Sequence, residues 1–288
     1  MREILLLSAD RSERGLLDPV MKELKLRDDV EAEWFSFCPT QPSYETLLAF
    51  EEVLHSFNPD IVLVPTDRFE MVYPAAYAFH HGFIVAHFHA GSNSSNHPDD
   101  LNRRVISVFS HVLLANMPEH KENLIKQGEE PWRIHVVGST AFGNIEIDTS
   151  LCPNKPYDLV ILHPNPTSRE KTEQDITALG NAIFGNADLE IVWLAPNHDR
   201  NYELILSTMR DNDFASYVHR IYKNIPRPQY LGLLKKCTRA VGNSSSFYYE
   251  LQVLNPHAQL IQIGERNNGL VVPETETGGA RRIAELLA

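Results

Sequence analysis

Short, predominantly apolar runs recur along this chain, each followed by a longer amphipathic stretch, and that alternation leaves few folds open. The runs at 4–7, 61–64, 83–86, 112–115 and 134–137 are rich in Ile, Val and Leu. They are too short for helices and lack the polar alternation of a strand with one wet face. They are expected as strands of a parallel sheet covered on both sides. An apolar patch at 30–35 and amphipathic segments at 16–24 and 44–56 fill the gaps between the early ones. The stretch 138–157 breaks the rhythm with Gly143, Pro153 and Pro156, and the alternation then restarts. Strands are expected at 159–162, 191–195, 217–221, 240–241 and 260–263, and helices at 170–184, 202–210, 230–236, from about 247, and at 280–287. The implied fold is α/β, with two Rossmann-like doubly wound parallel-sheet domains facing across a cleft. The expected divisions are 1–145, a linker at 146–157, a second Rossmann-like half at 158–275 and a terminal helix at 276–288. Ligands of such sheets bind beyond the carboxyl ends of the strands.

Composition narrows the partners. A formal net charge of −12 argues against nucleic acid and anionic membrane surfaces, which need a basic face. The three cysteines, Cys38, Cys152 and Cys237, are widely spaced and read as reduced thiols. The apolar start is too brief for a signal-peptide core and no run approaches a membrane span, so a cytoplasmic protein is expected.

Five places hold polar residues just after an expected strand. Arg11 follows the first and suits a phosphate or carboxylate. Asp67, with Arg68 beside it, follows the run at 61–64, where a carboxylate can act as a base or merely cap the next helix. His87 and His89 follow the run at 83–86 and are expected on one face of an extended segment. Beyond them, Asp99, Asp100 and Arg103 share a segment with His97; a helix starting at Asp99 puts Asp100 and Arg103 on one face. The histidines lack zinc-site spacing, so a metal site is the weaker reading. His163 and Asn197 follow two later strands. Asn243, Ser244, Ser245 and Ser246 join a strand to a helix, where N–H groups and hydroxyls can cradle a phosphate. No GxGxxG, Walker A or nucleophile-elbow pattern is present.

In order, these segments resemble the UDP-N-acetylglucosamine 2-epimerases, which have a GT-B-like fold. The pieces are ADRSERGLL at 9–17, DRFE at 67–70, HFHAG at 87–91, PDDLNRR at 98–104, VVGSTAFGNI at 136–145, APNHD at 195–199 and YLGLLKKCTRAVGNSSS at 230–246. Arg68 after Asp67, proline after His163, and IGERNNG at 263–269 resemble the hydrolysing branch, which releases UDP and N-acetylmannosamine. The resemblance implies catalytic roles for Asp67, Asp99, Asp100, Arg103 and His163, with His89 where many members carry a glutamate. It implies a nucleotide site around Arg11, Arg68, Asn197, Asn243, Ser244, Ser245, Ser246, Glu250 and Arg266. The implied partner is a UDP-sugar, the implied assembly a dimer or tetramer, and the chemistry needs neither metal nor redox cofactor. Acid and base stay unassigned among Asp67, His89, Asp99 and Asp100; adjacent like charges are expected to raise one carboxyl's pKa.

This chain also departs from the pattern. Thr66 stands where glycine is usual before Asp67, and Ser92 where a glutamate is expected after Gly91. Phe247 follows the serines, where a bulky ring is expected to narrow the sugar pocket. The segment between Leu24 and Ile61 is compressed. The competing readings are a non-hydrolysing epimerase, a GT-B glycosyltransferase, a nucleotide-sugar-binding regulator or pseudoenzyme and, more distantly, a metal-dependent hydrolase using His87, His89 and His97.

Overall fold

The structure is a computed structural model that describes residues 1–9, 11–37, 44–92, 98–141, 146–165, 167–184, 188–196, 199–210, 218–268 and 278–288. The chain forms two compact units: residues 1–145 with 274–288, and residues 146–273.

In the first unit six parallel strands, β1 (Arg2–Ser8), β2 (Val30–Ser36), β3 (Ile61–Pro65), β4 (Ile84–Phe88), β5 (Val112–Ala115) and β6 (Ile134–Val136), lie in the order β2-β1-β3-β4-β5-β6. Successive strand residues face opposite sides. Ile4 and Leu6 therefore join one apolar cluster and Leu5 and Leu7 the other. The first cluster takes Leu17, Val20, Met21 and Leu24 from α1 (Arg11–Lys25), whose spacing marks one helical face. Ala280, Ile283, Ala284 and Leu287 of the C-terminal helix α11 (Gly279–Leu287) pack into the same cluster. Burying Ile283 and Leu287 contributes roughly 2 kcal/mol each. The second cluster takes its helical residues from α2 (Tyr44–Phe57), α3 (Val72–His80) and α4 (Pro98–Val108). A further helix, α5 (Pro118–Lys126), sits between β5 and β6 in the chain.

The second unit has five parallel strands, β7 (Tyr157–Ile161), β8 (Glu190–Leu194), β9 (Arg220–Tyr222), β10 (Arg239–Gly242) and β11 (Gln259–Gln262), in the order β11-β10-β7-β8-β9. Val160 and Leu162 face α6 (Arg169–Phe184) and α7 (Tyr202–Arg210). Tyr157, Leu159 and Ile161 face α8 (Arg227–Lys236) and the short helices α9 (Ser246–Tyr249) and α10 (Leu251–Leu254). Phe247 is fully buried in that cluster, so its ring fills core space and does not narrow a pocket. Among the described residues no helix is long and apolar enough to cross a membrane.

The strand orders locate the chemistry. In the first sheet the chain runs from β1 to β2 on one side and resumes at β3 on the other. In the second it runs from β7 outward to β9 and resumes at β10 on the far side. Connections diverge at each reversal and leave a crevice at the strands' carboxyl ends. The first reversal lies between β1 and β3, just before Asp67. The second lies between β7 and β10, next to His163 and Asn243.

Candidate active site

β4 extends through Phe88, so His87 lies inside the strand rather than after it, and only His89 follows. The expected shared face of His87 and His89 is therefore broken: His89 turns out of the ladder with φ +63°. The His89 ring lies against Phe88 and edge-on to His120, with centroids 5.8 and 5.6 Å away. His87 is fully buried, its Nε2 2.7 Å from the Thr66 carbonyl oxygen and its Nδ1 3.0 Å from Ser107 Oγ. Both ring nitrogens are thus engaged, Nε2–H donating to the carbonyl and Nδ1 accepting from the hydroxyl. That use removes His87 from any metal site.

Burial pushes the His87 imidazole from its ordinary 6.5 down to about 3, with help from the Arg103 charge. The unfolded chain therefore binds a proton between those values that the folded chain refuses, and stability falls as pH drops from 6.5 toward 3. Full stability from this group is present above 6.5. Urea titrations should show wild type losing about 1.4 kcal/mol more than His87→Gln between about pH 5 and pH 4. Equal slopes would refute the assignment.

Asp67 stands just beyond β3, after Thr66, whose φ is +40°. The Arg103 guanidinium, 5% exposed on α4, donates through Nη2 to Asp67 Oδ2 and through Nη1 to the Ser92 carbonyl at 2.7 Å. Nη1 also lies 3.5 Å from Asp100 Oδ1, the spacing expected for residues three apart on a helix. A cation bridges Asp67 and Asp100, while Asp99 sits half-buried in the same first turn of α4. Arg68 points to Glu70, 3.2 Å from its carboxylate. Glycine is needed at 91, where φ is +79° and a Cβ would come within 2.3 Å of the His120 carbonyl oxygen; its absence lets this loop approach α5.

In the second unit the ends of β7 and β10 are clamped together. Asn243 Oδ1 accepts from the His163 N–H at 2.6 Å, and Asn243 Nδ2 donates to the His163 carbonyl at 2.9 Å. Gly242 precedes this clamp because any Cβ would stand 1.8 Å from the Ile161 carbonyl oxygen. Asn267 donates to the Asn243 carbonyl at 2.8 Å and fixes the turn from the end of β11. Of the serines, Ser244 is buried and Ser245 exposed, and the hydroxyls of Ser244 and Ser246 are 2.8 Å apart. Tyr230 of α8 is hydrogen-bonded to the Ser246 hydroxyl. Arg266 donates to the Pro164 carbonyl at 2.9 Å and reaches Asp199 at 3.4 Å. Glu250, 3% exposed, takes the Arg227 guanidinium at 2.5 Å on Oε1. Its Oε2 is buried and has no hydrogen-bond partner among the described residues.

Each unit thus gathers its own group: Asp67, Asp100 and Arg103 in the first, and His163, Asn243, Ser244 and Ser246 in the second. Asn197, His97 and the side chain of Arg11 lie outside the described residues. Sequence reasoning missed Glu13, Arg227 and Tyr230. Glu13 was legible as an acid in a helix's first turn, but its buried partner lies 53 positions away. Among the described residues no cluster of three or more His, Cys, Asp or Glu is arranged to hold a metal.

Two parallel-sheet α/β units with polar residues collected at their strand ends give the chain a GT-B-like fold. The chain belongs to the UDP-N-acetylglucosamine 2-epimerase family, whose model matches residues 3–275. Among relatives, a UDP-N,N'-diacetylbacillosamine 2-epimerase (hydrolyzing) of Legionella pneumophila is 27% identical, over 93% of this chain and 82% of that protein. A GDP/UDP-N,N'-diacetylbacillosamine 2-epimerase (hydrolyzing) of Campylobacter jejuni is 26% identical over 77% of this chain, and the match spans 60% of that protein's length. The structure of a Methanocaldococcus jannaschii UDP-GlcNAc 2-epimerase in complex with UDP-GlcNAc and UDP shares the fold. Its TM-score is 0.76 at 20% identity, covering 100% of this chain and 99% of that one.

Proposed function

We propose that this chain is a hydrolysing nucleotide-sugar 2-epimerase. It takes UDP-N-acetylglucosamine through elimination and hydration to UDP and N-acetylmannosamine. In the first step a base removes the C2 proton, the C1–O bond breaks and UDP departs with the bonding electrons, leaving 2-acetamidoglucal. Water then adds at C1 while a proton returns to C2 on the opposite face. The observation that carries this reading is Asp67, a carboxylate at the reversal of the first sheet, held by Arg103 and partly exposed. A base must reach hydrogen-bond distance of the proton it removes, and a carboxylate fixed at a strand end suits that task.

The second unit suits the nucleotide. The Ser244–Ser246 turn presents backbone N–H groups that donate to no described residue, as an oxyanion requires. The buried Glu250 Oε2, an acceptor with no hydrogen-bond partner among the described residues, supports a role for Glu250 in taking a ligand hydroxyl. The two hydrolysing relatives, with Arg68 after Asp67, favour net hydrolysis over reversible epimerisation. Their names also support a second reading of the sugar, with UDP-N,N'-diacetylbacillosamine as the substrate.

Proton NMR of the purified chain with each UDP-sugar in D2O tests both. Free N-acetylmannosamine carrying deuterium at C2, together with UDP, is the expected result. A UDP-linked manno product instead marks reversible epimerisation, and turnover of only the bacillosamine derivative selects the second sugar. No turnover of either sugar defeats the proposal.

A further inference from the structure

Glu13 is a carboxylate 3% exposed in the first turn of α1. A buried charge is costly unless its oxygens are bonded. Here Oε2 accepts from the Ala9 N–H at 2.6 Å and Oε1 from the Thr66 hydroxyl at 2.8 Å. The α1 N-terminus, with its positive end, adds to the stabilisation.

Thr66 is a residue under strain. Its φ of +40° lies in the left-handed region, where a β-branched side chain is an outlier that costs about 1–3 kcal/mol. Such a conformation persists only when its surroundings over-determine it. They do so here through every polar group Thr66 owns. Its N–H donates to the Phe88 carbonyl at 3.0 Å, its carbonyl accepts from His87 Nε2 at 2.7 Å, and its hydroxyl donates to Glu13. Ser107, one turn beyond Arg103 on α4, orients the His87 ring from the other side. The residue so fixed immediately precedes Asp67, so a rotation about Thr66 redirects the Asp67 carboxylate and strains its ion pair with Arg103.

We propose that Glu13 is a positioning residue: its carboxylate anchors the Thr66 hydroxyl, keeps the backbone before Asp67 left-handed and so aims the Asp67 carboxylate at substrate. Glu13 itself touches no reacting atom. The proposal rests on the reading of Asp67 as an acid–base group, and it makes Thr66 a determinant of this chain's geometry rather than a neutral substitute for glycine.

The test is a double-mutant cycle read by steady-state kinetics, with thermal melts as a control. Glu13→Ala should lower kcat by about 10- to 100-fold with KM little changed, the loss expected when a reacting group is misplaced by about 1 Å. Thr66→Ser keeps the hydroxyl and should retain most of kcat, whereas Thr66→Val should match Glu13→Ala. In a Thr66→Gly background, where the left-handed backbone no longer needs an anchor, Glu13→Ala should cost less than about threefold. An equal cost in both backgrounds, paralleled by an equal drop in Tm, overturns the proposal. A crystal structure of Glu13→Ala gives a readout independent of any substrate. Thr66 is expected to leave the left-handed region and the Asp67–Arg103 pair to break, and retention of both overturns the proposal. Wild type that turns over no nucleotide-sugar, together with that structural change, defeats the functional reading alone.

Discussion

An Asp67→Asn chain should bind UDP as wild type does yet lose about 10²- to 10⁴-fold in kcat, the span that a positioned general acid or base contributes. The substitution is close to isosteric, and the amide oxygen can still accept from Arg103, so the local fold should hold. What disappears is a group able to take a proton. Stopped assays of UDP release, with titration calorimetry of UDP on the same preparation, separate chemistry from binding. A turnover number within threefold of wild type would assign the proton transfer elsewhere, with His89 and Asp99 next in line. Loss of UDP affinity alongside kcat would mean that the variant had disturbed more than the reacting group.

Arg103→Met should destabilise the chain by about 3–5 kcal/mol, the cost of leaving buried charge without its counter-ion. Arg103 serves three acceptors at once: the carboxylates of Asp67 and Asp100 and the Ser92 carbonyl. Methionine fills much of the same volume and donates to none of them. The loss exceeds what an exposed i,i+3 pair contributes, about 0.3–0.5 kcal/mol. Urea unfolding of wild type and variant at neutral pH checks it, and a difference under 1 kcal/mol would show that the three acceptors find other donors. Combining Arg103→Met with Asp67→Asn should recover part of the loss, since one uncompensated charge is then gone.

Much of the fold was legible because buried parallel strands write themselves as short apolar runs. β5 was read with its observed bounds, and β1 and β3 to within two residues at each end, since a strand covered on both faces has little polar content to blur it. β4 was read too short because His87 is a polar residue inside the sheet. A histidine with both nitrogens satisfied leaves no trace in hydropathy. Asp67, Asp100 and Arg103 were singled out from their places after a strand and on one helix face. That Arg103 would bridge Asp67 and Asp100 required Asp67 and Ser92 to be brought to the same guanidinium.

Local chemistry settled a good deal before any folding was considered. Residue spacing defined the two parallel-sheet halves, the strand ends carrying Asp67, His89 and Asn243, and the resemblance to the epimerases. Tertiary structure decided the rest: φ +40° at Thr66, the Glu13 carboxylate that holds it, the Arg227–Glu250 pair and the placement of Phe247 in the core. The division has one physical cause. Period and composition are properties of neighbours along the chain, whereas a buried hydrogen bond joins partners tens of residues apart, and only the order of strands in the sheet brings them within reach.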